Sequence, residues 1–343
     1  MGGKALSCNT PVRLPKAQAD ELGAQCVAKL EALYPGRRVA YMSSYREKPD
    51  AGDADILVEA DERYDPFVAA EALGAVEIVR NGPVTSIGVL VRPEVPYREN
   101  NVFQVDLIKS APVEFDYASN YFQWSDLGNF VGRIAHASFC AHKHNGLWFY
   151  FRDPDAPDHL FREIVLTRDY REALAYLGFD VERYNQGFDT LEDIYAFTAS
   201  STYFNPDIYL LENRNAISRV RDKKRPAYTG FLRWCEEQPN LPAFQFPADK
   251  SAWLPRLMEH FPWFKQDYEE ALADLNELKA AKAKFNGAWV SQITGLQGKA
   301  LGALMKRFRE SFGSDQAQRE FVLGATPEAL TTRLLHVQSQ MDV

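Results

Sequence analysis

The stretch Gly52-Asp53-Ala54-Asp55-Ile56-Leu57-Val58 sets two aspartates one residue apart at the head of an apolar run. Such a run predicts a strand, and alternation along a strand puts Asp53 and Asp55 on the same face. Two carboxylates that close repel each other unless a cation lies between them. Mg²⁺ suits the position, because it prefers hard oxygen ligands and lets substrate phosphates complete its shell. A second apolar strand, Val102-Phe103-Gln104-Val105-Asp106-Leu107-Ile108, carries a third aspartate. Three carboxylates on neighbouring strands predict a two-metal site of the kind phosphoryl transfer uses.

The chain around this stretch is long enough, at 343 residues, for two or three domains with real cores. Apolar residues make up 46% and charged residues 25%, which is ordinary for a globular protein and argues against a disordered one. No apolar run reaches the length of a membrane span, so no membrane partner is expected, and the segment from Met1 to Pro15 has no signal-peptide core. Cys8, Cys26, Cys140 and Cys235 lie far apart, which reads as free thiols in a reducing, cytoplasmic compartment. The net charge of −8 excludes wholesale coating of nucleic acid but leaves room for local basic surfaces. One candidate runs from Arg214 to Arg225 through Arg219, Arg221, Lys223 and Lys224. Another runs from Lys279 through Lys282, Lys284 and Lys299 to Lys306, Arg307 and Arg309.

Helical spacing over Ala17–Leu33 ends at Pro35-Gly36. A short strand is expected over Arg38–Ser43, a polar loop over Ser44–Gly52, a helix around Pro66–Leu73, and an Asn81-Gly82 hairpin between Val76–Ile78 and Thr85–Val91. These predict an α/β core of mixed sheet over roughly residues 10 to 120. Asp126–Cys140 reads as a helix and Gly146–Arg152 as a strand. From Leu191 onward the pattern is almost wholly helical, with long helices expected at Pro206–Arg221, Arg225–Glu237, Ala252–His260, Lys265–Phe285, Ala300–Phe312 and Pro327–Gln340. Pro239–Pro247 is a Pro-rich connection inside that half.

Phosphoryl transfer also needs cationic and backbone donors on the leaving pyrophosphate. The loop before the aspartates offers Ser43, Ser44, Arg46 and Lys48, and an arginine can grip phosphate oxygens through two parallel hydrogen bonds. The run from Met42-Ser43-Ser44-Tyr45-Arg46 to Gly52-Asp53-Ala54-Asp55 resembles the palm motif of the nucleotidyltransferase superfamily, typified by family X DNA polymerases such as DNA polymerase beta. That motif is Gly-Ser, a basic loop, then Gly-Asp-x-Asp. Ser43 takes the serine, Arg46 the triphosphate-binding arginine, and Met42 stands where the family has glycine. Tyr121-Phe122-Gln123-Trp124-Ser125-Asp126-Leu127-Gly128-Asn129-Phe130-Val131-Gly132-Arg133 resembles the segment of those polymerases that binds the incoming nucleotide. There the Tyr-Phe pair abuts the sugar, the aspartate lies near the base, and the asparagine and arginine reach the nascent pair and template. Trp124 replaces the glycine that turns the backbone between aromatic pair and helix. Asp189-Thr190-Leu191-Glu192-Asp193-Ile194-Tyr195 is similar to the family's closing Ser-Glu-x-Asp-Ile-Phe helix. The resemblance covers about residues 12 to 200, and the family's N-terminal lyase and DNA-gripping domains have no counterpart in this sequence. Further on, Phe285-Asn286-Gly287 and Ile293-Thr294-Gly295-Leu296-Gln297-Gly298-Lys299-Ala300-Leu301-Gly302 distantly resemble the end of CCA-adding tRNA nucleotidyltransferases, where a glycine-rich turn introduces a late helix.

The resemblance implies an α+β fold: a polymerase beta-type palm with a mixed sheet over 1–120, a nucleotide-binding helix and small α/β extension over 121–205, and a helical domain over 206–343. It implies transfer of a nucleoside monophosphate from an NTP or dNTP to the 3′-hydroxyl of RNA or DNA, with Mg²⁺, or Mn²⁺ in its place. Asp53, Asp55 and Asp106 would hold the metal ions. Ser43, Ser44 and Arg46 would hold the triphosphate, and Tyr121, Phe122, Asp126, Asn129 and Arg133 would shape the nucleotide pocket. The alternatives are a transferase with a protein or small-molecule acceptor, and a non-catalytic nucleic-acid-binding module. His136, Cys140, His142 and His144 fit no standard zinc spacing, and His136 and Cys140 read as packing on the helix. Trp148-Phe149-Tyr150-Phe151 reads as a core strand rather than a base-stacking platform.

Overall fold

The computed structural model describes residues 3–92 and 101–341. β1 (Leu14–Pro15) leads into α1 (Lys16–Leu33), whose Ala19, Gly23, Cys26 and Leu30 form one buried stripe. Gly36, at φ 84°, turns the chain into β2 (Val39–Tyr41). The loop that follows is tied down by β3 (Asp50–Ala51), which pairs antiparallel with β1. β4 (Asp53–Glu59) carries the two aspartates. α2 (Pro66–Ala72) is capped by Asp65, whose side chain accepts from the Phe67 N–H. β5 (Glu77–Asn81) and β6 (Val84–Leu90) make the expected hairpin, with Gly82 at φ 60°, and β7 (Val102–Ser110) carries Asp106.

These strands form a mixed five-stranded sheet in the order β2-β4-β7-β6-β5. β4 and β7 run parallel, and the other neighbours are antiparallel. Alternation gives the sheet two buried faces. Ala54, Ile56, Val58, Phe103, Val105 and Leu107 pack in the larger core with Leu30, Ala69 and Ala70 of the two helices. Leu57 and Ile108 pack on the opposite face with Met42, Phe115 and Ala118. Period two then puts Asp53, Asp55 and Asp106 on that second face, beyond its apolar patch.

The chain continues through α3 (Phe115–Phe122) and α4 (Leu127–Ala137). A second sheet follows, in the order β10-β9-β8, from β8 (Ala141–Lys143), β9 (Gly146–Asp153) and β10 (Ala156–Thr167). Then come α5 (Tyr170–Tyr176), α6 (Val181–Asn185), α7 (Leu191–Ala199), α8 (Ala216–Lys223), α9 (Pro226–Glu237) and α10 (Leu254–His260). The last stretch holds α11 (Phe264–Lys284), α12 (Gly287–Thr294), α13 (Gly298–Glu310), α14 (Asp315–Gly324) and α15 (Pro327–Ser339). None of the described helices is long and apolar enough to cross a membrane.

The chain is thus α+β, with a helical C-terminal region, but it divides elsewhere than the sequence texture suggests. One compact unit runs up to Tyr150 and resumes over Glu163–Phe261; the other comprises Phe151–Arg162 and the chain from Pro262. The breaks expected after 120 and 205 fall inside the first unit. The physical reason is Phe130 of α4, whose ring lies against Tyr195, Tyr209, Tyr228 and Phe231, so residues from both sides of 205 share one aromatic core. The second unit has its own core, which includes Phe285, Val290, Leu304, Phe308 and Leu334. In place of one helix over Pro206–Arg221 the chain makes two 3₁₀ turns, Pro206–Tyr209 and Leu211–Asn213, before Asn215 caps α8. The glycine-rich turn falls as expected: Gly295, at φ 71°, ends α12, and Gly298, at φ 56°, opens α13.

Candidate active site

Register decides how the three carboxylates meet. Asp55 lies directly opposite Asp106 across the parallel β4–β7 pair, and Asp53 lies opposite Gln104. Burial, then the charges of Asp53 and Asp106, drive the Asp55 carboxyl far up, to about 8, with Lys48 the cation that opposes them. Asp106 is also raised, chiefly by burial and next by Asp53, while hydrogen bonds from Ser86 and Gln104 pull the other way. The site is therefore a cluster of acid groups short of positive charge, which is the electrostatic condition a divalent cation relieves.

Two of these carboxylates are already engaged. The Gly3 N–H donates to Asp53 Oδ2 at 3.0 Å, and Gln104 Nε2 donates to Asp106 Oδ1 at 2.9 Å. The Ala5 N–H in turn donates to Gln104 Oε1 at 2.9 Å, so the N-terminal segment lies along the acidic end of the sheet. Glu77 holds its other end, accepting from Ser7 and Cys8 N–H groups and from Asn9 Nδ2. Among the described residues, no three His, Cys, Asp or Glu side chains stand ready as a metal cage. Asp53 Oδ2 and Asp106 Oδ1 are thus each held by a donor, and the second oxygen of each carboxylate is the one a cation would meet without displacing Gly3 or Gln104.

The loop before the aspartates extends the sheet. The Met42 N–H donates to the Asp55 carbonyl at 2.8 Å, and the Met42 side chain is buried in the smaller core. Ser43 and Ser44 are half-buried beyond it. The Ser43 carbonyl accepts from the Trp124 N–H at 3.0 Å, which joins the loop before the aspartates to the turn that opens α4. Arg46 donates from Nη1 to Asp189 Oδ1 at 2.7 Å and from Nη2 to the Gln186 carbonyl at 2.5 Å. Its guanidinium lies 5.9 Å from the Trp124 ring centroid. The third segment thus closes on the first. α7 opens with a reciprocal capping box between Thr190 and Asp193. Both partners in the Arg46–Asp189 pair are more than half exposed, so water competes for it and the arginine can exchange partners.

Trp124 and Ser125 occupy the left-handed region, at φ 63° and 60°, where an L side chain costs roughly 1–2 kcal/mol. The turn that a glycine would make is therefore made here without one. Trp124 is held there by packing edge-on to Phe188 at 5.3 Å between ring centroids. α4 begins at this turn. Asp126 does not cap it with its side chain, because that carboxylate pairs with Arg225. Asn129 Oδ1 accepts from Arg221 Nη2 at 2.9 Å. Tyr121 and Phe122 meet edge-to-face at 5.3 Å, with Phe122 stacked on His144. Arg133 does not join them. It is buried, and its Nε and Nη2 both donate to the Ile208 carbonyl, so on the geometry it stays in the interior.

A cleft of about 310 Å³ lies between the loop and this helix, lined by Tyr45, Lys48, Asp50, Ser125, Asp126 and Pro226 among others. Sequence reasoning put Lys48 in the phosphate loop without assigning it a place in the site. It read Arg221 and Arg225 as part of a basic run, with no signal that they turn onto Asn129 and Asp126. The charge pattern did carry one clue: an aspartate, Asp222, lies inside that run, and it is fully buried between Arg214 and Arg221. The expected packing role does not hold for His136, which is exposed near the end of α4. Cys140 is buried, and burial takes His142 down to about 4. Comparison with models of known protein families gives no match, and comparison with characterised proteins gives none.

Proposed function

We propose that this chain is a nucleotidyltransferase of the polymerase beta-like kind. It would move a nucleoside monophosphate from an NTP or dNTP to a nucleic-acid 3′-hydroxyl. The observation that carries the reading is the Asp55–Asp106 register, with Asp53 beside it on the same sheet face and Lys48 as the cation that opposes Asp55.

Asp53, Asp55 and Asp106 are the groups that would hold Mg²⁺. Mg²⁺ held by them would supply positive charge to offset the charge that builds on the transferred group. The acceptor oxygen forms a bond to the α-phosphorus, the bond to the β-phosphate oxygen breaks, and pyrophosphate leaves with that electron pair. Asp106, opposite Asp55 across the strand pair, would take the hydroxyl proton. Arg46, released from Asp189, and Lys48 supply donors for the pyrophosphate. The cleft between Tyr45, Lys48 and Asp126 receives the nucleotide, with Asn129 further along α4.

Labelled nucleotides incubated with Mg²⁺ or Mn²⁺ and separate RNA, DNA and protein acceptors test the reading. Labelled RNA or DNA is expected. Asp106→Ala should abolish transfer, by at least about a thousandfold, while nucleotide binding persists. Retained transfer in that variant, or label found on protein alone, would remove the assignment.

A further inference from the structure

The strand Trp148-Phe149-Tyr150-Phe151 has two different faces. Leu147, Phe149 and Phe151 are buried, whereas Trp148 and Tyr150 are half-exposed. The hairpin register sets Ala141 opposite Trp148 and Lys143 opposite Gly146, which puts Lys143 on the outer face with the two rings. Lys143 Nζ lies 4.3 Å from the Trp148 ring centroid and 5.3 Å from that of Tyr150. The Arg168 guanidinium lies 5.6 Å from the Trp148 ring, and Arg168 is exposed. Glu163 is the carboxylate in the group, accepting from Lys143 Nζ at 2.9 Å. The indole is fixed in orientation, since Nε1 donates to Asn145 Oδ1 at 3.1 Å.

We infer that the outer face of β8 and β9 is a platform for single-stranded nucleic acid. Two flat rings two residues apart on a strand are separated by about 6.6 Å, room for one base on each. Stacking reads no sequence, because every base has a π face, and cations beside the rings meet the phosphates. Lys143 and Arg168 now lie on the ring that a base would cover. A base arriving on Trp148 frees both cations to turn to the phosphates that arrive with it, so each interaction lost is replaced. A duplex cannot make the exchange, because its base faces are already stacked. The hairpin turn carries His144, stacked on Phe122 at 5.9 Å, so the platform adjoins the nucleotide-binding segment. The identity of the bound strand as the acceptor rests on the transferase reading; the binding itself does not.

The test is fluorescence anisotropy of the full chain with a labelled twelve-nucleotide oligo(U) and with a duplex of equal length, without nucleotide or metal. The single strand should bind more tightly than the duplex. Trp148→Ala should weaken it roughly 5- to 100-fold, and Trp148→Phe should recover most of the loss. Lys143→Gln and Arg168→Gln, which leave the strand's own packing unchanged, should each reduce the slope of log affinity against log salt by about 0.7. Equal binding of duplex, or wild-type affinity and salt slope in all of these variants, would overturn the platform. Binding that depends on Trp148 in a protein that transfers no nucleotide would overturn the transferase reading and keep the platform. Transfer with binding indifferent to Trp148 would do the reverse.

Discussion

Ionising Asp55 costs the folded chain free energy, because its carboxylate faces Asp53 and Asp106 with Lys48 as the opposing cation. Its pKa is raised in the fold, from an ordinary value near 4 to about 8, so the sign of the linkage is against stability. Below the ordinary value both folded and unfolded chains hold the proton and there is no effect. As pH rises from there, the unfolded chain releases its proton first, and the metal-free protein loses stability until about 8. Asp55→Asn should remove that slope and raise metal-free stability at neutral pH by about 1–2 kcal/mol while ending transfer. Thermal unfolding between pH 5 and 8, with and without Mg²⁺, checks this. Mg²⁺ should stabilise the parent protein and leave the variant nearly unchanged. Asp53 and Asp55 were legible as a pair because a strand's period is local. Arg46 stood out from its neighbours as a candidate phosphate ligand, but its present partner, Asp189, is 143 residues away, and nothing local announces it.

Among elements, the turn into α4 links the loop after β2, the start of α4 and the segment before α7. Gly187, at φ 72°, lies where they meet, and a Cβ there would stand 2.7 Å from both Arg46 Nη2 and the Trp124 ring. Gly187→Ala should therefore displace Arg46 and Trp124 together. The expected cost is about 1–3 kcal/mol of stability, with a higher KM for the nucleotide and a smaller change in kcat. Ser125 is exposed at φ 60°, so Ser125→Gly should relieve strain and stabilise by about 0.5 kcal/mol. Opposite shifts in melting temperature for these two variants are the measurement; a shift in the same direction would show that the turn is not strained in this way. The sequence raised Trp124 as a departure from the family's glycine. That the backbone keeps a left-handed turn regardless was not legible, because the packing of Trp124 on Phe188 that opposes the strain comes from a distant segment.

At the scale of the whole molecule, the first unit depends on an ion cluster in which one buried carboxylate holds two arginines. Asp222 is fully buried and accepts from Arg214 at 2.8 Å and Arg221 at 2.9 Å. Asp222→Ala leaves Arg214 buried and uncompensated, and should destabilise the first unit by about 3–5 kcal/mol. It should also loosen Arg221 from Asn129. Hydrogen exchange mapped along the chain should show lost protection in α4, α8 and α9 and unchanged protection in α12 to α15, whose core is separate. Loss of protection throughout would mean the units do not unfold as distinct bodies. By itself the sequence determined the strand that carries Asp53 and Asp55, the shared face of those two side chains, the mixed α+β character and the helical C-terminal region. Each follows from spacings of two to four residues, which steric and hydrophobic periodicity enforce locally. Only the tertiary structure decided that Asp106 opposes Asp55, that Arg225 and Arg221 turn onto Asp126 and Asn129, that Arg133 stays inside, and that Trp148 and Tyr150 face outward. Those outcomes depend on which surfaces bury each other across long stretches of chain, and no local period encodes that choice.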